Sequence, residues 1–264
     1  MKILIKLGGT LLDAAESRKG LAEQIARAVD DGLEAVVVHG GGKQMTRYLA
    51  DRGVESHFVN GLRVTTPEVL DAVLKVLAGT VNQELVAALV GSGAAAVGLS
   101  GMDALLTAAT PISDELGLVG KPVRSDPRLL QTLIEFKYLP VVACVAGNRQ
   151  GNFFNVNADQ MAVSVASAIK ADKLLFLTDV EGVVGQNGQV LPAISLDECR
   201  HLIESGIATG GMRAKLESAS EALLAGIGEV VIAPGAAADV VNRLLNDEPI
   251  GTRVVTNVGV SRHA

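Results

Sequence analysis

The sequence predicts an α/β protein: an open, mainly parallel sheet with helices on both faces, hence a three-layer αβα sandwich. Three observations lead there. Short apolar runs of strand length alternate with longer segments whose apolar residues recur at helical spacing, the pattern of strand–helix–strand units. Runs such as Ile3–Leu7 and Ala35–Val38 are apolar nearly throughout, as suits strands buried on both faces. Of 264 residues, 48% are hydrophobic but only 3% aromatic, so Ala, Val, Leu and Gly must fill closely packed layers.

Each element follows in chain order. Ile3–Leu7 is the first strand, and Leu21–Val29 carries a helical stripe. Ala35–Val38 is a second buried strand, followed by three glycines and a helix from about Lys43. Pro67, tolerated in a first turn, opens a helix with Val69, Ala72, Val73 and Val76 on one face. Val81–Val90 continues in helical style. Ala95–Leu99 is a strand, and Leu106–Thr110 and Val119 are shorter β pieces. Pro127–Phe136 is helical and Leu139–Val142 a strand. Asn155–Asn157 leads into a helix through Ile169, and Lys173–Leu177 is another strand. Gln186-Asn187-Gly188 marks a hairpin turn. Ser195–Ser205 and Met212–Ala225 are helices, Val230–Ile232 is a late strand, and the tail after Val255 reads as frayed. No repeat or low-complexity linker divides the chain; a faint composition break near Ala171 is the candidate lobe boundary.

The formal charge is −6 with no long basic run, which argues against nucleic acid or an anionic membrane as the main partner. Cys144 and Cys199 stand far apart and read as reduced thiols. His39, His57, His201 and His263 share no metal-ligand spacing, so no metal site is expected. Met1 leads at once into the first strand, which speaks against a signal peptide, and no apolar run reaches spanning length free of charge or glycine. A cytoplasmic enzyme is the expectation.

Six segments carry chemistry. Lys6 ends an apolar strand and runs into Gly8-Gly9, where backbone N–H groups can approach phosphate. His39-Gly40-Gly41-Gly42-Lys43 joins a strand to a helix start, a place for an anion or simply a tight turn; it is neither a Walker A loop nor a dinucleotide fingerprint. Asn60-Gly61-Leu62-Arg63-Val64-Thr65 sets an arginine in a loop after a turn, able to grip a carboxylate or to be merely solvated. Asn155-Val156-Asn157-Ala158-Asp159 opens a helix. Asn157 serves as its cap, but a cap leaves Asn155 unexplained. Thr178-Asp179-Val180-Glu181-Gly182-Val183 closes a strand, as in nucleotide clefts or ordinary turns. Gly210-Gly211-Met212-Arg213-Ala214-Lys215 places a lysine in a helix's first turn, against the dipole, where it either meets an anion or snorkels to solvent.

Together and in this order these segments resemble the amino acid kinase family from Lys2 to about Val255. Within it they are most similar to the branch acting on N-acetyl-L-glutamate; relatives acting on aspartate, uridylate, carbamate or free glutamate lack the full set. The resemblance implies a sheet of about eight strands with a crevice along their C-terminal edge. It implies an N-terminal lobe, residues 1–170, for the acyl-amino acid and dimerisation, and a C-terminal lobe, 171–264, for ATP. Lys6, Lys215 and Asp159 map to catalytic positions, with Asp159 holding the lysines. Gly41, Gly42, Arg63 and Asn155 map to the substrate. Gly8, Gly9, Thr178, Asp179, Gly182, Val183, Gly210 and Met212 map to the nucleotide, which carries Mg2+ in with it. A homodimer is implied. Met102, where many members carry lysine, and the bulky Phe154 are departures expected to alter the substrate pocket. The start at the first strand, without an extra N-terminal helix, carries the expectation of no arginine feedback. The rivals are a kinase of carrier-linked aminoadipate or glutamate and a non-catalytic sensor on the same scaffold. Retention of both lysines and Asp159 speaks against the sensor.

Overall fold

A computed structural model describes residues 1–256. The frayed tail expected after Val255 and His263 lie, but for Thr256, outside the described residues. Apolar, β-branched runs form strands β1 (Lys2–Leu7), β2 (Glu34–His39), β5 (Ala96–Ser100), β8 (Leu139–Ala143), β11 (Lys173–Thr178) and β13 (Glu229–Pro234), with the hairpin strands β3 (Phe58–Val59) and β4 (Leu62–Arg63) between the second and third of these. Shorter strands are β6 (Thr107–Pro111), β7 (Val119–Ser125), β9 (Val145–Gly147), β10 (Phe153–Val156), β12 (Ala193–Ser195) and β14 (Thr252–Val255). The helices are α1 (Ala15–Asp30), α2 (Gly42–Ala50), α3 (Pro67–Val73), α4 (Asn82–Gly91), α5 (Arg128–Glu135), α6 (Ala158–Ile169), α7 (Leu196–Glu204), α8 (Gly210–Leu224) and α9 (Val240–Leu245).

Eight strands form the central sheet in the order β12-β14-β13-β11-β1-β2-β8-β5. From β13 to β5 every neighbour is parallel; β14 runs antiparallel to β13 and brings β12 with it. Strand side chains alternate between faces, and the core divides accordingly. Leu4, Val36, Val38, Leu174 and Phe176 face α5, α6, α7 and α8. Ile3, Ile5, Leu7, Val37 and Leu175 face α1, α2, α3, α4 and α9. The α/β sandwich of about eight mainly parallel strands is therefore present.

Several elements differ from the sequence reading. β6, β7, β9 and β10 close into a small second sheet; β9, β10, β12, α9 and β14 are each too short or too mixed to show a period in the sequence. The two helices expected over 67–90 are one continuous helix, with a π-helical stretch at Leu74–Val81 joining α3 to α4. Its 25 residues, Pro67–Gly91, are long and apolar enough by composition to cross a membrane, but Val69, Val73, Leu77, Leu85 and Leu89 are packed into the core. The turn at Gln186–Gly188 closes through a single antiparallel bridge between Val184 and Val190. α8 starts at Gly210, so Lys215 lies in its second turn, not its first. Arg63 is on strand β4, not in a loop; Asn60 and Gly61, both with positive φ, make the two-residue turn before it.

Candidate active site

Lys6 is the penultimate residue of β1, at the middle of the sheet between β11 and β2. Strand period places it on the same face as Leu4, the face that α6 covers. The start of α6 is fixed by Asn157, whose side chain accepts from the Asp159 and Gln160 N–H groups at 2.9 and 3.2 Å. Asp159 thus sits in the first turn, over the end of β1, and its Oδ1 lies 2.7 Å from Lys6 Nζ. That contact is an ion pair off hydrogen-bond alignment, leaving Oδ1 without an aligned donor. Lys215 Nζ reaches the other oxygen, Oδ2, at 3.2 Å. One carboxylate therefore holds two ammonium groups from opposite ends of the chain. The side chains of Lys6, Asp159 and Lys215 are 7%, 7% and 16% exposed. Burial works to raise the Asp159 pKa, but the two cations outweigh it and hold the carboxyl below its ordinary value.

Two adjoining pockets meet beside this triad, sharing Gly61, Leu62, Asn157 and Ala158. The first is lined by Gly41, Gly42, Arg63 and Asn155 with Met45, Val73, Leu77 and Val119. Arg63 Nη2 donates to the Gly42 carbonyl at 3.1 Å and to Thr46 Oγ1 at 2.8 Å, Nη1 donates to Ser56 Oγ, and the guanidinium lies 4.7 Å from the Phe58 ring centroid. Partial burial lowers its pKa, yet a guanidinium stays charged. Asn155, unexplained as a cap, donates to Thr65 Oγ1 at 3.0 Å, and Thr65 Oγ1 donates to the Arg63 carbonyl at 2.8 Å. A cation and an amide thus edge an otherwise apolar hollow, which suits a small molecule with a carboxylate and an amide. The second pocket is lined by Lys6, Asp159, Lys215, Gly210 and Gly211.

The two glycine turns are pressed together. A Cβ on Gly9 would lie 2.9–3.0 Å from the backbone of Gly41 and Gly42, and one on Gly41 would meet Leu77 at 2.5 Å. Only glycine permits this approach. Gln44 ties the turns further, its Nε2 donating to the Gly9 carbonyl at 3.1 Å.

The remaining residues singled out for the nucleotide lie beside the pockets rather than in their walls. Gly8 N–H donates to the Leu177 carbonyl at 3.0 Å, next to Thr178, whose hydroxyl donates to Asp179 at 3.2 Å. Gly182 has no room for a side chain against Thr252 and Val190. Val183 is 1% exposed in the core, and Met212 packs against that core. Phe154 also turns inward, filling space left by Gly120, and Met102 packs against Gly147; neither lines the first pocket. Among the described residues no group of three or more His, Cys, Asp or Glu is placed to hold a metal ion.

Two polar residues lie beneath the pockets, one of them, Asn82, not signalled by the sequence and the other, His39, known there only as the start of the glycine turn. His39, fully buried, ends β2 just before the triple glycine. Asn82, also buried, faces it from α4 at 3.0 Å. Desolvation lowers the His39 pKa to about 4, so the ring is neutral. Cys144 donates its thiol to the His39 carbonyl at 2.9 Å, and burial pushes that thiol up to about 12, which keeps it inert. A polar residue closing an otherwise apolar strand was the signal available.

Comparison with known proteins bears on the family and the fold. Residues 1–234 match the profile described as "Amino acid kinase family". The chain is 59% identical to the acetylglutamate kinase of Solibacter usitatus (strain Ellin6076), over 97% of this chain and 100% of that one. It is 41% identical to that of Koribacter versatilis (strain Ellin345), over 98% and 100%. Among solved structures, N-acetylglutamate synthase from Neisseria gonorrhoeae, complexed with coenzyme A and N-acetyl-glutamate, superposes with a TM-score of 0.87 at 29% identity, covering 98% of this chain and 60% of that one. Carbamate kinase from Giardia lamblia bound to AMP-PNP, TM-score 0.72 at 18% identity, shares the fold.

Proposed function

The chain belongs to the amino acid kinase family, and from that premise we propose that it transfers the γ-phosphoryl group of ATP to the side-chain carboxylate of N-acetyl-L-glutamate, an acetylglutamate kinase activity serving arginine biosynthesis. The observation that carries the chemistry is the Lys6–Asp159–Lys215 bridge at the junction of the two pockets. The acceptor carboxylate is ionised at neutral pH, so no general base is needed. The barrier is the mutual repulsion of two anionic reactants, and catalysis is positioning plus neutralisation of charge. Three charges sum simply: two ammonium groups and one carboxylate leave one unit of positive charge.

In this reading Lys6 stabilises charge on the transferring group, and Lys215 acts on the leaving phosphate. Asp159, committed to both lysines, is a holder rather than a metal ligand. The Gly41 and Gly42 amides at the start of α2 add donors, with Gly8 and Gly9 beside them. Arg63 and Asn155 hold the acyl-amino acid. Thr178, Asp179, Gly182, Val183, Gly210 and Met212 form the nucleotide side, residues 171–264, while residues 1–170 hold the acceptor. Mg2+, bound to the incoming triphosphate, would supply further neutralisation. Such a reaction belongs in the cytoplasm, where ATP is made available. A second copy of the chain is the proposed partner. The open β5 edge beside the exposed Val90 of α4 is the surface proposed for it.

The test is ATP consumption with N-acetyl-L-glutamate, with N-acetyl-aminoadipate and with no acceptor. Turnover that depends on N-acetyl-L-glutamate is expected; preference for the longer acceptor, or turnover indifferent to both, contradicts the reading.

A further inference from the structure

We infer that His39 is a positioning residue for the transfer: by holding the Gly40 carbonyl it aims the Gly41 N–H into the cleft. The inference rests on the phosphoryl-transfer reading above and extends it to a side chain that never touches a reactant. The Gly40 C=O and the Gly41 N–H belong to one planar trans peptide and point in opposite directions. His39 Nδ1 lies 2.9 Å from the Gly40 oxygen, on the core side. The Gly41 N–H must then face away from the core, toward the pocket that Gly41 lines. Among the described residues no backbone or side-chain acceptor takes that N–H, although Gly41 is buried. A backbone N–H with no partner in the chain that faces a pocket is left free for water or a bound acceptor.

The hydrogen-bond network fixes the ring's state. A carbonyl only accepts, so Nδ1 carries the proton. Asn82 Nδ2 donates to the Val141 carbonyl at 3.0 Å, which fixes the amide's orientation, and its second hydrogen goes to His39 Nε2 at 3.0 Å. Nε2 is thereby the acceptor. A proton there would meet the amide hydrogens of Asn82. Gly98 leaves the space that the Asn82 Oδ1 occupies. The imidazole is held from β8 and α4 on one side and holds the glycine turn on the other. Preorganised donors of this kind are valuable because they need no reorientation during reaction.

Two substitutions separate the two ring nitrogens. His39→Asn keeps a donor at the Nδ1 position but falls short of Asn82. His39→Gln reaches toward Asn82 but has nothing at the Nδ1 position. His39→Gln is expected to lower kcat roughly 100-fold, the effect of losing one oxyanion donor, while melting near the wild type. His39→Asn is expected to retain much of the turnover while melting lower, since it leaves more empty space. Activity and stability thus rank the variants in opposite orders, which a purely structural role cannot produce. A kcat for His39→Gln equal to or above that of His39→Asn overturns the assignment. Should either variant fail to fold, 15N NMR of the wild-type imidazole decides: a proton on Nδ1 at neutral pH supports the assignment, and one on Nε2 overturns it. A wild type without acceptor-dependent turnover would instead overturn the kinase reading itself, so the two failures are distinguishable.

Discussion

Asp159 is the residue on which the site's charge balance turns. Removing its charge while keeping its shape, Asp159→Asn, would leave two largely buried ammonium groups facing one another. Breaking a buried ion pair by one partner costs about 3–5 kcal/mol. Urea unfolding of Asp159→Asn should show a loss of that order together with a collapse of turnover; unchanged stability would mean that the lysines are held elsewhere. Arg63 calls for a different outcome. Arg63→Ala should chiefly raise KM for the acyl-amino acid and spare KM for ATP, and equal damage to both would count against a carboxylate clamp. His39 adds a pH signature. Unfolded, it takes its proton near 6.5; folded, it resists until about 4. Between those values the unfolded chain binds the extra proton, so stability falls as pH drops through that window, by roughly 3 kcal/mol in all at about 1.4 kcal/mol per unit. Asp159 acts lower: its depressed pKa keeps its contribution until the pH falls below the ordinary 3.8. Unfolding free energy measured from pH 7 to 4 should therefore decline less in His39→Asn than in the wild type.

At the scale of elements the site is two glycine turns set backbone to backbone at the ends of β1 and β2. The structure distinguishes glycines there. A Cβ on Gly9 meets backbone atoms at 2.9–3.0 Å, whereas one on Gly42 meets nothing within 4 Å. Gly9→Ala should cost about 1–3 kcal/mol, the usual range for overpacking, and Gly42→Ala should leave the melting temperature close to that of the wild type. Equal melting of the two would show that the turns can part. These elements also show what could be read from the chain. Strand and triple glycine were legible because each has a local cause, burial on two faces and conformational freedom, and the start of α6 was legible from its Asn157 cap. The strand period could have predicted that Lys6 shares a face with Leu4, and hence with α6. The π-helical stretch at 74–81 could not be read, since its apolar residues fit helical spacing as well. Nor could the small sheet, whose strands are defined by partners distant in sequence. The surroundings of His39 could not be read either, since its partner Asn82 is 43 residues away.

On the scale of the whole molecule, the parallel sheet brings distant chain segments to one edge. Lys6 arrives on the first strand, Asp159 on the helix above it, and Lys215 on a helix that follows two more strands, β11 and β12. Such convergence is what parallel topology offers: strand ends open on one crevice. The open β5 edge gives a prediction at this scale. Sedimentation should show a species of twice the chain mass, and a charged replacement at Val90 should shift it toward the monomer. The account as a whole depends on the two ammonium groups acting during transfer rather than in binding. Its most direct measurement is the steady-state kinetics of N-acetyl-L-glutamate phosphorylation in Lys6→Ala and Lys215→Ala. We expect kcat to fall far more than either KM changes in both variants; an intact kcat in either would contradict the two-lysine mechanism.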